Sequence, residues 1–145
     1  MRWVDTHCHL QLDERDPLLL LERATEVDWV VVPGGEVESS RRAARLAADH
    51  PERVLATVGL HPHDAGQWPE EGTQLTELAT AASAIGETGL DFYRNLSSRA
   101  DQIRVFRRHV GLALELGKPI VVHCRDAFAE VIEVIEDTGV GPQTV

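Results

Sequence analysis

The amino-acid sequence predicts a parallel α/β chain wound in the manner of a (β/α) barrel, and three observations carry that expectation. Short, continuously apolar runs recur along the 145 residues. Each is followed by a segment with helical periodicity, the alternation that marks parallel strands covered by helices. The residues best able to do chemistry (His7, His9, His61, Glu87 and His123) then fall at or just past the carboxyl ends of different runs. An open doubly wound sheet gathers its site at one switch point, whereas a barrel collects residues from several strand ends on one face.

Taken in order, Trp3 to Thr6 reads as a short first strand and Pro17 to Thr25 as a helix with a leucine-rich face. Trp29 to Pro33 is a second strand, closed by Gly34 and Gly35. Ser39 or Ser40 supplies a helix cap, and that helix runs to about His50. Val54 to Gly59 is a third strand, Thr73 to Ala82 a helix and Ala84 to Glu87 a short fourth strand. A long amphipathic helix from about Ser98 to Leu116 stops at Gly117, where a left-handed residue ends helices well. Pro119 to His123 is strand five and Phe128 to Thr138 its helix. The glycines of "PGGEVESS" lack dinucleotide-loop or P-loop spacing, so this stretch reads as a turn and a cap.

Bulk composition narrows the classes. The length suits one globular domain with a real core. A net charge of -10 excludes a surface that neutralises nucleic-acid phosphates wholesale, so any phosphate chemistry must be local. Apolar runs such as Leu18 to Leu21 are far too short to cross a membrane, and the first residues do not read as a signal sequence. The expected location is the cytoplasm, with Cys8 and Cys124 as free thiols.

In "VDTHCHL", Val4 to Leu10, residues two apart on extended chain face the same side, so His7 and His9 face the barrel mouth together and Cys8 faces away. Two imidazoles and one carboxylate make a set that holds divalent metals with open positions, and Glu87 is the natural third partner. Asp5 shares the parity and is placed to orient a histidine by accepting its second N–H. A lone His-x-His is ordinarily a surface accident. Here an ionisable cluster recurs at the ends of apolar strands, where unpaired burial is costly. The competing reading for Glu87 is an ion pair with Arg94 or Arg125; for His61 and His63 it is loop structure. His50 and His109 lie in helical segments away from the strand ends and receive no function.

"VDTHCHL", "TVGLHPHDA", "AIGETGLDFY" and "KPIVVHCRDA" stand in the order and approximate spacing found in the TatD-family metal-dependent hydrolases, which the chain resembles over its whole length. That family lies within the wider amidohydrolase-like superfamily. The resemblance implies a (β/α)₈ TIM-type barrel, a two-metal site (Mg²⁺, Mn²⁺ or Zn²⁺) and hydrolysis of phosphodiesters, usually as a deoxyribonuclease of exonuclease type. Carried over, His7 and His9 match ligands of one metal, Glu87 the carboxylate bridging both, and His123 a ligand of the second. Glu87 and His123 are the catalytic assignments, and His61, Asp91 and Arg125 fall at positions assigned to substrate. Gln102 and Phe106 also fit the pattern, as packing.

The resemblance further implies a histidine after strand six and an aspartate after strand eight, neither of which precedes Val145 in register. A (β/α)₈ barrel takes around 250 residues. The expectation is therefore a single partial domain over residues 1–145, about five of eight units, inactive alone and prone to self-association through uncovered barrel edges. The arginines 94, 99, 104, 107 and 108 read as a solvated helix face, with Arg94 and Arg99 in reach of a substrate phosphate. The rival within hydrolases is an amide or ester hydrolase of the same superfamily, such as a D-aminoacyl-tRNA deacylase. Many relatives there bridge their metals with a carbamylated lysine on strand four, but the single lysine here is Lys118, before strand five. A histidinol-phosphatase-like phosphoesterase fits the later motifs less well. From another class, a non-catalytic metal-binding or interaction module remains an alternative.

Overall fold

The structure, a computed structural model, describes residues 2–139. Five strands are hydrogen-bonded in the order of the chain and all run parallel. They are β1 (Trp3–Asp5), β2 (Val27–Pro33), β3 (Val54–Val58), β4 (Ala84–Asp91) and β5 (Ile120–Arg125). Sequential order in one direction is barrel winding; a doubly wound sheet would reverse it at a switch point. The five helices are α1 (Pro17–Arg23), α2 (Val37–Asp49), α3 (Trp68–Ala79), α4 (Arg99–Leu116) and α5 (Phe128–Thr138).

Helix starts are written in side chains that satisfy orphan backbone N–H groups. Asp16 caps α1, with Pro17 at its first position, and Ser98 caps α4 by accepting the Asp101 N–H. Helix α2 departs from expectation: Glu36 is its cap, and the Ser39 hydroxyl closes the reciprocal capping box from inside the helix. Helix α3 begins at Trp68 instead of Thr73. Gly72 reads as an interruption in sequence, yet it is required within the helix because a Cβ there would meet the Trp68 ring at 2.6 Å.

Strand β4 is the other revision. Thr88 and Gly89 end the apolar run, but the strand continues to Asp91 and is buried throughout. Gly86 and Gly89, at φ of 130° and 135°, let it press against β5, since a Cβ would lie 2.4 Å from the Val121 oxygen and 2.1 Å from the His123 oxygen. This close approach carries Glu87 and Asp91 into the neighbourhood of His123. Strand β2 starts two residues earlier than expected, at Val27.

Two apolar clusters form the core. One packs β3 to β5 against α3, α4 and α5, with Ile85, Leu90, Phe106 and Val110 fully buried; the other packs β2 and β3 against α1 and α2. Strand β1 is exposed along its length. Among the described residues, β1 and β5 each have a strand on one side only.

Candidate functional site

The carboxyl ends of the strands open onto a cavity of about 490 Å³ lined by His7, His9, His61, His63, Glu87 and His123, with Glu36, Ser39 and Asp64 toward α2. At its centre is Glu87, 8% exposed. Its two oxygens face different histidine pairs. Oε2 lies 3.2 Å from His7 Nε2 and 3.9 Å from His9 Nε2, and Oε1 lies 3.0 Å from His123 Nδ1 and 3.9 Å from His61 Nε2. Within each pair the ring nitrogens converge to 3.2 Å. Two groups, His7/His9/Glu87 and His61/Glu87/His123, thus each offer three ligand atoms within 4.8 Å of one another.

The electrostatics match the geometry. Burial raises the Glu87 pKa, but the His123 hydrogen bond and the nearby His7, His61 and His123 outweigh it, so the pKa falls below the ordinary value. Burial pushes His61 down to about 4 and lowers His9, which His7 lowers further. Both are therefore neutral at pH 7 with a lone pair to give. The hydrogen bond to Glu87 raises His123. His9 and His61, converging with His7 and His123 on one carboxylate, make a donor set that fits a divalent cation.

Behind this layer sits Asp91, fully buried. Its Oδ2 receives His63 Nε2 at 2.9 Å and His123 Nε2 at 3.2 Å, and its Oδ1 receives the Arg94 N–H at 2.8 Å. Burial raises its pKa, but these hydrogen bonds prevail and hold it at about 2. Asp91 lies beneath the cavity instead of lining it, and His63 is drawn into the cluster through Asp91.

Other residues are placed differently from expectation. Asp5 Oδ1 accepts the backbone N–H of His7 at 3.0 Å and not a ring N–H, because the strand bends sharply there. Arg125 lies outside the cavity, its guanidinium 4.0 Å from the Tyr93 ring, and Arg99 rests 4.3 Å over Phe92. Arg104 and Arg107 pair with Asp101 and Asp137. Glu87 pairs with histidines, and neither Arg94 nor Arg125 is its partner. Gln102, expected as packing, binds the backbone of Asp91, and His109, given no role, binds the backbone of Leu60. Their signal was in the sequence: both sit on the buried stripe of α4 at i and i+7.

A parallel barrel-type chain with a histidine and carboxylate cluster at the carboxyl ends of its strands defines a class: a half-barrel built around a candidate metal centre. Within that class, the model of the TatD related DNase family matches residues 4–145, and the chain belongs to that family. It is 36% identical over 125 residues to a protein of Pectobacterium parmentieri named 3'-5' ssDNA/RNA exonuclease TatD, covering 84% of this chain and 48% of the relative. A protein of the same name from Cronobacter sakazakii is 39% identical over 126 residues, covering 85% and 48%. The chain spans about half the length of these curated relatives. In fold it resembles a TatD family hydrolase of Entamoeba histolytica, with a TM-score of 0.84 and 21% identity over 96% of this chain and 55% of that one. The TatD homolog YJJV of Escherichia coli superposes with a TM-score of 0.78 and 24% identity over 94% and 56%.

Proposed function

We propose that this chain supplies the metal-binding half of a metal-dependent phosphodiesterase acting on DNA or RNA ends, an exonuclease-type hydrolase. The observation that carries the reading is Glu87, with one oxygen toward His7 and His9 and the other toward His61 and His123. In our reading His7, His9 and Glu87 would hold one divalent ion, and Glu87, His61 and His123 a second. The chemistry supplied there when metal is bound is a water acidic enough to attack near neutral pH and neutralisation of phosphate charge.

The chain's own residues do the rest. Glu87 and His123 hold the reacting geometry, Asp91 fixes the His123 and His63 rings, and His61 stays neutral and ready to ligate. Arg125, stacked on Tyr93 at the end of β5, is in our reading the cation that would meet a substrate phosphate beyond the cavity. The lysine-bridged amide hydrolase reading has no support in the geometry: Lys118 lies at the opposite end of the strands, its Nζ on the carbonyls of Ala79, Thr80 and Ala82. A strand end entering one cavity reconciles a nucleic-acid substrate with a net charge of -10. We also infer a cytoplasmic location, on two unpaired thiols, and self-association through the free sides of β1 and β5, which sedimentation would detect.

The test is metal content by mass spectrometry on the purified chain, His7→Ala/His9→Ala and His61→Ala/His123→Ala, followed by degradation of end-labelled single-stranded DNA with Mg²⁺, Mn²⁺ or Zn²⁺. Metal that each double variant reduces supports the reading. Metal-free folded wild-type protein overturns it.

A further inference from the structure

The buried faces of α3 and α5 carry no polar side chain; α4 buries Gln102 and His109 completely. An apolar residue of similar size would pack as well without the cost of desolvating an amide or an imidazole. Both polar side chains are spent on backbone, and in each case that backbone belongs to the end of a site-bearing strand. His109 Nδ1 donates to the Val105 carbonyl at 2.9 Å, which fixes the tautomer and leaves Nε2 to accept the Leu60 N–H at 3.1 Å. Leu60 is the residue immediately before His61. Gln102 grips Asp91 at both backbone groups, accepting its N–H at 2.8 Å and donating to its carbonyl at 3.2 Å, with a further bond to the Ser97 carbonyl at 2.9 Å. Asp91 in turn holds the rings of His123 and His63.

Two lines of contact therefore leave one helix and end on the same half of the site. One runs from His109 through Leu60 to His61, the other from Gln102 through Asp91 to His123. The His7/His9 half has no such support from α4. It stands on exposed β1, and the carboxylate that steadies it, Asp5 on the His7 N–H, is itself exposed.

We propose that Gln102 and His109 are positioning residues for the His61/Glu87/His123 half of the site, and that the His7/His9 half is independent of them. The inference rests on the metal-binding reading above. Hydrogen-bonding partners of this kind, one step behind the ligands, commonly change metal affinity by roughly 10- to 100-fold when removed.

Zn²⁺ titration calorimetry on the full chain separates the halves. His7→Ala/His9→Ala isolates the α4-backed half, and His61→Ala/His123→Ala isolates the other. His109→Leu and Gln102→Leu are expected to weaken Zn²⁺ binding roughly 10- to 100-fold in the first background. In the second background affinity should stay within about twofold, as for independent sites. His109→Gln, whose amide oxygen can take the Leu60 N–H, should recover most of the loss. Equal losses in both backgrounds would reduce the pair to general stability and overturn the proposal, as would no loss in either. Should the leucine variants fail to fold, ¹⁵N spectra of the His7→Ala/His9→Ala chain decide: Zn²⁺ must shift the Leu60 and Asp91 amides and the Gln102 side-chain amide, and unmoved signals overturn the proposal. A chain that binds no Zn²⁺ in any background sinks the metal reading itself, an outcome distinct from binding without selectivity.

Discussion

The two ends of the strands use charge in opposite ways. At the amino ends, Arg53 stands just before β3 and Lys118 just before β5. Arg53 donates to the carbonyls of Leu21, Ala24 and Val27, and Lys118 to those of Ala79, Thr80 and Ala82. Each cation closes the carboxyl end of a helix one unit back, where the helix dipole and orphan carbonyls favour positive charge. The protein supplies both partners. At the carboxyl ends, histidine ring nitrogens converge to 3.2 Å beside a buried carboxylate, and in the proposed reading a divalent cation is their partner. On that reading one end serves the fold and the other serves a ligand, so stability and ligand binding should separate by mutation.

The largest expected effect tests that separation directly. Glu87→Gln removes the charge that both donor groups share, so Mn²⁺ or Zn²⁺ binding should fall roughly 100-fold or more by calorimetry. Because the surrounding histidines more than offset the burial of Glu87, the amide should also lower the melting temperature, but modestly. A loss of stability as large as that of a core truncation would show that the site end also holds the fold together.

His109 lies between the two regimes and sharpens the comparison through pH. Burial pushes its pKa to about 4 from the ordinary 6.5, so the folded state resists a proton that the unfolded chain accepts. The contribution is fully present above pH 6.5 and is lost as pH falls toward 4, amounting to about 3 kcal/mol across that window. Denaturant unfolding at a series of pH values should show that slope in the wild type, and His109→Gln should flatten it. An unchanged slope would place the acid sensitivity in the site histidines.

Much of this was legible in sequence because strands and helices announce themselves by different periods, and because Glu87 and His123 visibly close the apolar runs of their strands. What escaped was partly local geometry and partly contact between distant segments. Ser39 looked like a cap, but Glu36, three residues earlier, accepts the Glu38 and Ser39 N–H groups. The expected helix began after Gly72 and the expected strand stopped before Gly89, because the sequence does not show that the Trp68 ring and the backbone of β5 fill the space of their Cβ atoms. Asp91 was recognised as a motif residue, but its burial beneath His123 requires knowing that β4 runs past Glu87. Gln102 and His109 were visible on the apolar stripe of α4 without their targets, which come from β3 and β4.

At the amino ends the expected effect is smaller and of the other kind. Lys118→Met leaves three carbonyls without their donor at the end of α3 and should cost about 2 kcal/mol in denaturant unfolding. Zn²⁺ affinity should be unchanged. Weaker Zn²⁺ binding in this variant would mean that strain passes along β5 from Lys118 to His123, and the two ends would then be coupled.

The smallest effect sets the scale for the others. Arg107 and Asp137 join α4 to α5 by a 2.7 Å ion pair whose side chains remain 40% and 52% exposed. Water screens such a pair and holding two long side chains costs entropy, so Arg107→Ala should change stability by at most about 0.5 kcal/mol. The same kind of charge contact therefore counts for little on the outer helices and for much at either end of the strands. What differs is solvent and partners: Glu87 is buried, half-buried Lys118 gives its charge to three carbonyls, and Arg107 makes one exposed pair. Destabilisation by Arg107→Ala as large as that of Lys118→Met would break this account, because burial would no longer explain which charges matter.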